Sequence, residues 1–211
     1  MIKAVSGAKL PIVYVLDDDP AVRDSLSSLL RSVGLKAEVF ATVAEFQQIS
    51  LAAVPSCLIL DVRLQFANGL DFHRQLLEKG IDLPVIFITG HGDIPMTVKA
   101  MKSGAVDFLA KPFREQDLLD AIATALQKDQ QRIAADSASD ELRTCFGSLT
   151  AREQQVMCMA VSGLLNKQIA DQLNLSLITV KIHRGNMMKK MRAKNFAELV
   201  QMAGQLGLNK S

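Results

Sequence analysis

Apolar runs alternate with segments of helical periodicity through the first part of the chain. Five short apolar runs are typical of strands, at 12–16, 36–40, 57–60, 85–89 and 106–109. The run Val85-Ile86-Phe87-Ile88 shows no polar alternation, which is typical of a strand covered on both faces. Between the runs lie segments with an amphipathic helical period, at 21–33, 43–48, 69–79 and 95–102. The alternation predicts a five-stranded parallel, doubly wound α/β domain with right-handed crossovers.

The hydrophobic pattern changes in the second part of the chain. After about Gly147 there is no strand-like run, and the periodicity predicts four helices, at 151–161, 166–173, 177–191 and 196–206. A helix from Glu115 is expected to run toward Ala135, and the small polar residues 136–140 suit a linker. We therefore expect a domain over 10–130, a linker over 131–146 and an all-helical domain over 147–211.

Composition narrows the class of protein. Of the 211 residues 49% are hydrophobic, enough for two sizeable cores. No apolar stretch approaches the roughly 18 residues that a membrane span needs, and the run near the N terminus is short for a signal core. The three cysteines, Cys57, Cys145 and Cys158, lie far apart and form no CxxC pair. We expect reduced thiols, a cytoplasmic location and no membrane partner.

Charge is distributed unevenly between the two parts. Residues 1–126 carry a net charge of −3 and residues 127–211 carry +5, which together give the overall net charge of +2. A basic second part favours nucleic acid as its partner. Charge alone is a weak signal, because many solvated surfaces are mildly basic.

Polar side chains follow four of the predicted strands. Asp17-Asp18-Asp19 follows the first strand, Asp61 the third, Thr89 ends the fourth, and Lys111 lies just beyond the fifth. The three adjacent acids alone are as typical of a turn or helix cap as of a metal site. Open α/β sheets, however, bind ligands at the carboxyl ends of their strands, where all these residues are expected to meet. Clustered carboxylates favour Mg²⁺, and a carboxylate beside Mg²⁺ and an ammonium can attack phosphorus to give an aspartyl phosphate.

This combination resembles the receiver domain of two-component response regulators over about residues 10–130. The stretches 89–96, 105–108 and 111–113 resemble the FixJ subgroup in particular. The resemblance implies that Asp61 is the phosphoacceptor, phosphorylated by a sensor histidine kinase, and that the Lys111–Pro112 bond is cis. The implied ligands of Mg²⁺ are Asp18, Asp61 and the main-chain carbonyl of Arg63, with Asp17 acting through water. The implied phosphoryl contacts and switch residues are Thr89, Phe108 and Lys111.

The loop after the phosphoacceptor departs from the family pattern. Receiver domains usually have Met-Pro where this chain has Leu64-Gln65. Without the proline the backbone of this loop is less fixed, which bears on the lifetime of the phosphoaspartate and the rate of phosphorylation.

Two short helices in the basic part are joined by a tight turn. The helix over 166–173 ends at Asn174-Leu175-Ser176, and Ser176 can cap the next helix. This arrangement is typical of a helix-turn-helix, although at this level a generic helical hairpin is the commoner structure. In the second helix Val180, Met187 and Met191 form one stripe, and the opposite face carries Ile178, Lys181, Ile182, Gly185 and Lys189. An exposed Ile beside Lys and Gly suits the major groove of DNA.

The segments 149–153, 166–170 and 179–184 resemble the LuxR-type DNA-binding domain, over about residues 145–208. The resemblance places Lys181 and Ile182 at positions that read bases. Its candidate phosphate contacts are Thr179, Arg184 and Lys189. Some relatives read bases with a Lys where this chain has Gly185, so its sequence preference should differ from theirs. The last helix would be the dimerisation helix of the family.

The two resemblances together imply a phosphorylation-switched transcription factor and not an enzyme. Phosphorylated protein would form a homodimer through the surface that includes Val98 and Lys102, bind double-stranded DNA and act on RNA polymerase. The FixJ resemblance suggests an activator, with oxygen-responsive or nitrogen-fixation genes as targets. Two alternatives remain: a haloacid dehalogenase-type phosphatase, whose D-x-D-x-[TV] motif fails at Ala21, and an RNA-binding antiterminator.

Overall fold

The computed structural model describes residues 10–90 and 94–208. The strands in these ranges are β1 (Ile12–Leu16), β2 (Lys36–Phe40), β3 (Ser56–Asp61), β4 (Arg63–Leu64), β5 (Ala67–Asn68), β6 (Val85–Thr89) and β7 (Asp107–Ala110). The helices are α1 (Pro20–Ser32), α2 (Val43–Gln47), α3 (Gly69–Glu78), α4 (Ile94–Lys102), α5 (Glu115–Gly147), α6 (Ala151–Val161), α7 (Asn166–Leu173), α8 (Leu177–Lys190) and α9 (Phe196–Gln205). Within these ranges no helix combines the length and the apolar character needed to cross a membrane.

Five parallel strands form the central sheet, in the order β2-β1-β3-β6-β7. The chain therefore winds first to one side of β1 and then to the other, so the doubly wound architecture predicted from the sequence is confirmed. The strand after α4 begins one residue later than predicted, at Asp107. Register matters for the site, because it brings Leu16 opposite Leu60 and Thr89 opposite Ala110.

Side chains from the two faces of the sheet form two separate cores. β1 and β3 are buried along their whole length, which explains their unbroken apolar sequence. One face packs Tyr14, Leu60 and Phe87 with α2 and α3 residues such as Phe46, and the other packs Val15, Ile59 and Ile86 with α1 and α5. Burial of apolar surface stabilises the folded state by about 25 cal/mol for each Å². The two cores therefore stabilise the strand order, and the strand order determines which strand ends lie side by side.

A short antiparallel hairpin that the sequence pattern did not reveal follows β3. In it Arg63 pairs with Asn68 and Leu64 with Ala67. The two connecting residues are Gln65 and Phe66, and the Phe66 side chain is 87% exposed. The loop in which the family's usual proline is missing is therefore held by backbone pairing.

Helix α5 passes through the segment that was predicted to be a linker. It runs without a break from Glu115 to Gly147, and the chain divides into two compact units between Ile133 and Ala134, inside this helix. No Gly or Pro interrupts the helix before its last residue. Extending an existing helix by a further residue does not carry the free-energy cost of nucleating a new one, so the helix continues through Ser and Asp residues although their helix propensity is weak. In the first unit Asp129 of α5 is buried and accepts a hydrogen bond from the Ser56 backbone N–H at 2.8 Å.

The second unit is all-helical, as predicted, and its helices start where the sequence indicates. Thr150 and Glu153 form the capping box of α6, and Ser176 caps α8 by accepting from the Thr179 N–H at 3.0 Å. Between α7 and α8 the chain turns at Asn174, which has a left-handed backbone with φ of 53°. The core is formed by the buried side chains Leu149, Val156, Met157, Ile169, Val180, Met187, Met191 and Leu199.

Candidate functional site

The polar residues predicted at the strand ends lie side by side at one edge of the sheet. Asp17 follows β1 and Asp61 ends β3, and these strands are neighbours with Leu16 opposite Leu60. Thr89 ends β6, and the Lys111 backbone N–H donates to the Thr89 carbonyl oxygen at 2.7 Å. The structure thus brings both carboxylates, the hydroxyl-bearing residue and the lysine together, and the Lys111–Pro112 bond is cis, as predicted.

The ammonium of Lys111 joins the two carboxylates. Its Nζ donates to Asp17 Oδ2 at 2.7 Å and to Asp61 Oδ2 at 2.7 Å. The Asp17 side chain is fully buried and that of Asp61 is 10% exposed, so little of the Asp61 carboxylate is open to solvent. Burial by itself lowers the pKa of Lys111, but the hydrogen bonds to both carboxylates outweigh it and raise that pKa above its usual value. Lys111 is therefore charged at neutral pH.

The ionisation of Asp61 reflects competing effects. Burial raises the pKa of its carboxyl group, and the charge of Asp17 adds to the rise. The Lys111 ammonium and the Arg63 N–H, which donates to Asp61 Oδ1 at 2.8 Å, act in the opposite direction. Burial prevails, so the pKa of Asp61 lies above its usual value although Lys111 donates to it. A cation bound beside the two carboxylates would favour their ionised forms.

The oxygen atoms of Asp17, Asp18 and Asp61 form a group suited to a hard divalent cation. One carboxylate oxygen from each lies within 4.8 Å of the others. A set made only of oxygen ligands is the kind that Mg²⁺ takes, so these residues fit the ion that receiver domains bind in such an acidic pocket. The individual roles predicted for Asp18, Asp17 and the Arg63 carbonyl stay predictions.

The third acid of the run is a helix cap. Asp19 Oδ1 accepts from the Ala21 N–H at 2.8 Å and so caps α1. Asp17 is held in place by the Asp19 N–H, which donates to its Oδ1 at 2.9 Å, and by Arg23, which donates to its carbonyl oxygen at 2.7 Å. Within the acidic run, Asp19 is therefore a helix cap, whereas Asp17 and Asp18 belong to the candidate metal site.

Gly69 is a site residue that the sequence reasoning missed. It begins α3, and its N–H donates to the Val62 carbonyl oxygen at 2.9 Å. A Cβ at this position would lie 2.3 Å from the carbonyl oxygen of Asp61. Only glycine lets the start of α3 approach the backbone of Asp61 this closely. A Gly at a predicted helix start was the available signal, but nothing local marks a contact with backbone eight residues away.

The predicted switch residues Thr89 and Phe108 lie on adjacent strands, and the predicted dimer contacts lie on the neighbouring helix α4. Thr89 is fully buried, and Phe108 of β7 is half-buried and packs with Met96 against the core beside Phe87. On α4, Val98 is 45% exposed and Lys102 is exposed. In the motif over 89–96, His91, Gly92 and Asp93 lie outside the described residues.

The second helix of the helix-turn-helix, α8, has one buried and one exposed face. Val180, Met187 and Met191 are buried, as the periodicity predicts. The opposite face carries exposed residues: Ile178, Lys181, Ile182, Gly185 and Lys189. Ile178 and Ile182, one helical turn apart, are 71% and 56% exposed. Neighbouring exposed apolar side chains of this kind are typical of an interaction surface. Whether these residues touch DNA stays a prediction.

Two of the predicted phosphate contacts have partners within the protein. The Thr179 hydroxyl hydrogen-bonds with the Ser176 hydroxyl at 2.8 Å. Arg184 Nη1 donates to Asn166 Oδ1 at 2.9 Å, and its guanidinium lies over the Phe196 ring. Lys189 is exposed, which is the environment expected of a phosphate contact.

Comparison with known proteins matches each unit to one family. The family described as "Response regulator receiver domain" matches residues 13–123, and "Bacterial regulatory proteins, luxR family" matches residues 147–203. Nodulation protein W of Bradyrhizobium diazoefficiens is 51% identical over 198 residues, which cover 94% of this chain and 87% of that protein. The transcriptional regulatory protein FixJ of Azorhizobium caulinodans is 40% identical over 191 residues, 90% of each chain. The structure of the response regulator StyR has a TM-score of 0.84 at 45% identity, and the match covers 93% of this chain and 100% of that chain.

The fold and the sites thus define a receiver domain followed by a helix-turn-helix domain. The chain belongs to the LuxR/FixJ-type two-component response regulators, which are transcription regulators and not enzymes. A receiver domain implies a histidine kinase as partner, and a LuxR-type domain implies DNA.

The close approach of Gly69 gives a testable prediction. Gly69→Ala is expected to lower the free energy of unfolding by about 1–3 kcal/mol, the usual range for overpacking, because backbone must move to admit the Cβ. Gly90→Ala is the matched control, because a Cβ at Gly90 has no atom within 4 Å. Urea denaturation of both variants measures the difference. Equal stability of the two would contradict the close approach.

Proposed function

We propose that a partner sensor histidine kinase phosphorylates Asp61, that the phosphorylated protein dimerises, and that the dimer binds specific DNA and activates transcription. The single observation that supports this most strongly is the position of the Lys111 ammonium, 2.7 Å from carboxylate oxygens of both Asp17 and Asp61. Lys111 is already placed where charge on a transferred phosphoryl group has to be compensated. The role of activator is carried over from the resemblance to FixJ.

In the proposed phosphoryl transfer, Asp61 supplies the nucleophile, the kinase's phosphohistidine supplies the phosphoryl group, and Lys111 and Thr89 stabilise the product. A carboxylate oxygen of Asp61 forms a bond to phosphorus while the P–N bond of the donor's phosphohistidine breaks, and the electron pair of that bond returns to the imidazole. Lys111 then donates to one phosphoryl oxygen and the Thr89 hydroxyl to another. Mg²⁺ held by Asp18, Asp61 and the main-chain carbonyl of Arg63, with Asp17 acting through water, would supply further compensation of the phosphoryl charge.

Phosphorylation gives the site a new charge of roughly −1.5 to −2, and this change drives the proposed switch. Thr89 moves toward the phosphoryl group, and Phe108, half-buried on the adjacent strand, turns into the space that is released. The pair is a two-state element, because a packed core admits discrete arrangements of side chains. The surface that changes is formed by α4, β7 and the first part of α5.

The proposed dimer uses this α4-β7-α5 surface. Val98 supplies an exposed apolar centre, and Lys102, one helical turn further on, supplies a charge at its edge. An isologous dimer pairs two DNA-binding domains and suits a palindromic site. Interaction of the bound dimer with RNA polymerase belongs to the same proposal.

On the DNA side, the exposed face of α8 is proposed to lie in the major groove. Lys181 donates to a base edge, and Ile182 meets the methyl group of a thymine. Lys189 and Thr179 contact phosphates, and the net charge of +6 over residues 145–211 adds a general attraction to the DNA backbone. Gly185 has no atom near its Cβ position, so backbone there can come close to a base.

The phosphoacceptor is tested by intact-mass measurement after treatment with acetyl phosphate and Mg²⁺. We expect one added phosphate on the unchanged protein and none on Asp61→Asn. Asp71→Asn is the matched control, because Asp71 pairs with Arg74 on the exposed face of α3 and should leave phosphorylation intact. A phosphate that persists in Asp61→Asn would show that another residue is modified.

The reading face is tested with a duplex selected from a random pool. Lys181→Ala and Ile182→Ala should each weaken binding of this duplex by about 1–3 kcal/mol and leave binding of a scrambled duplex nearly unchanged. Replacing the contacted thymine by uracil removes the methyl group, and we expect the same loss for the unchanged protein but no further loss for Ile182→Ala. If both variants discriminate the two duplexes as well as the unchanged protein does, another face reads the DNA.

The dimer surface is tested by sedimentation of Val98→Arg after phosphorylation. This variant should accept phosphate on Asp61 but stay monomeric, because a buried unpaired charge opposes association. Val33→Arg is the matched control, since Val33 is the C-cap residue that follows α1 and is 48% exposed, close to the 45% of Val98. It should dimerise normally. A normal phosphorylation-dependent dimer of Val98→Arg would place the interface elsewhere.

A further inference from the structure

One side chain of α8 links three helices of the DNA-binding unit. Arg184 Nη1 donates to Oδ1 of Asn166, the first residue of α7, at 2.9 Å. The Arg184 Cζ also lies 4.9 Å from the ring centroid of Phe196, the first residue of α9. The planar guanidinium can do both at once, because its edge donates while its face stacks on the ring.

Arg184 lies at the border between the buried and the exposed face of α8, and its contacts with α7 and α9 are on the buried side. At 100° for each residue, Arg184 falls about 40° from buried Val180 and about 60° from buried Met187. On the side proposed to face DNA, exposed Lys189 lies about 140° from Arg184 around the helix and exposed Lys181 about 60°. The Arg184 side chain is accordingly half-buried.

We infer that Arg184 is a positioning residue, which sets the angle of α8 against α7 and α9 and does not neutralise a phosphate of the DNA. The inference rests on the proposed function of α8 as the helix that reads DNA. It replaces the expectation from family resemblance that Arg184 contacts a phosphate. A rotation of α8 moves every side chain on its exposed face at once, so losing Arg184 should impair discrimination between sequences and spare the general attraction to DNA.

The two roles differ in their salt dependence. A residue that neutralises one phosphate contributes about 0.9 to the slope of log affinity against log salt, and removing it lowers the slope by that amount. A positioning residue leaves the slope unchanged. The roles also differ toward lysine, because an ammonium can still neutralise a phosphate but cannot stack and donate in the plane as the guanidinium does.

The experiment uses the full chain treated with acetyl phosphate, a duplex selected from a random pool and a scrambled duplex of equal length. Affinities are measured over a series of salt concentrations for Arg184→Ala, Arg184→Lys, Asn166→Ala and the double variant Asn166→Ala with Arg184→Ala. Lys189→Ala is the control for a phosphate contact, because Lys189 is an exposed cation on the same helix. Binding of the scrambled duplex reports whether each variant is folded.

We expect Arg184→Ala to weaken binding of the selected duplex about tenfold, which is the loss expected from one hydrogen bond of a charged group. Binding of the scrambled duplex and both salt slopes should stay unchanged. Arg184→Lys should not restore the affinity, and the double variant should lose less than the two single losses combined, because Asn166 and Arg184 act through one contact. Lys189→Ala should instead weaken both duplexes alike and lower the slope.

The inference is overturned if Arg184→Ala lowers the salt slope by about 0.9 for each bound subunit, about 1.8 for the dimer, and Arg184→Lys restores it, since that is the behaviour of a phosphate contact. The proposed function would survive that result. Equal affinity of the unchanged protein for the selected and scrambled duplexes would instead overturn the proposed function, and the inference with it.

Discussion

The ammonium of Lys111 is the interaction on which the acidic cluster at the strand ends, the proposed phosphorylation site, depends. Two buried carboxylates, Asp17 and Asp61, lie at the ends of neighbouring strands, and Lys111 donates to both at 2.7 Å. Losing one partner of a buried ion pair typically costs about 3–5 kcal/mol, so the strand order, the register and the backbone bond from Lys111 to Thr89 have to place this lysine accurately. The arrangement that stabilises the acidic cluster is also the one on which the proposed phosphoryl transfer relies, so stability and the proposed reactivity depend on the same placement of Lys111.

In the DNA-binding unit, contacts on the buried side of α8 determine the orientation of its exposed face. Lys190, at the end of α8, donates to Glu153 at 2.6 Å, and Glu153 is buried in the capping box of α6. This hydrogen bond is the main reason that the pKa of Glu153 is lowered, with the bonds from Thr150 adding to it. Together with Arg184, Lys190 holds α8 at two points along its length. The exposed face is thereby presented at a fixed angle.

Much of this structure could be predicted from the sequence, because buried strands and amphipathic helices leave periodic patterns. The strands 12–16, 36–40 and 85–89 have the bounds that the pattern predicts, and the buried stripe of α8 is confirmed. The hairpin at Arg63–Leu64 was missed because two-residue strands have no periodicity. Helix α5 continues past its predicted end because helix propagation outweighs the weak propensity of Ser137 and Asp140. The contacts of Gly69 with Asp61 and of Arg184 with Asn166 depend on tertiary packing, which no local signal encodes.

The central claim is that a phosphoryl group on Asp61 controls binding of DNA by the second unit. The most direct measurement compares the affinity of one selected duplex for the protein with and without acetyl phosphate treatment, at equal protein concentration, beside Asp61→Asn treated in the same way. The account predicts tighter binding after treatment and no change for Asp61→Asn. Equal affinity of the treated and untreated protein, with phosphate verified on Asp61, would contradict it.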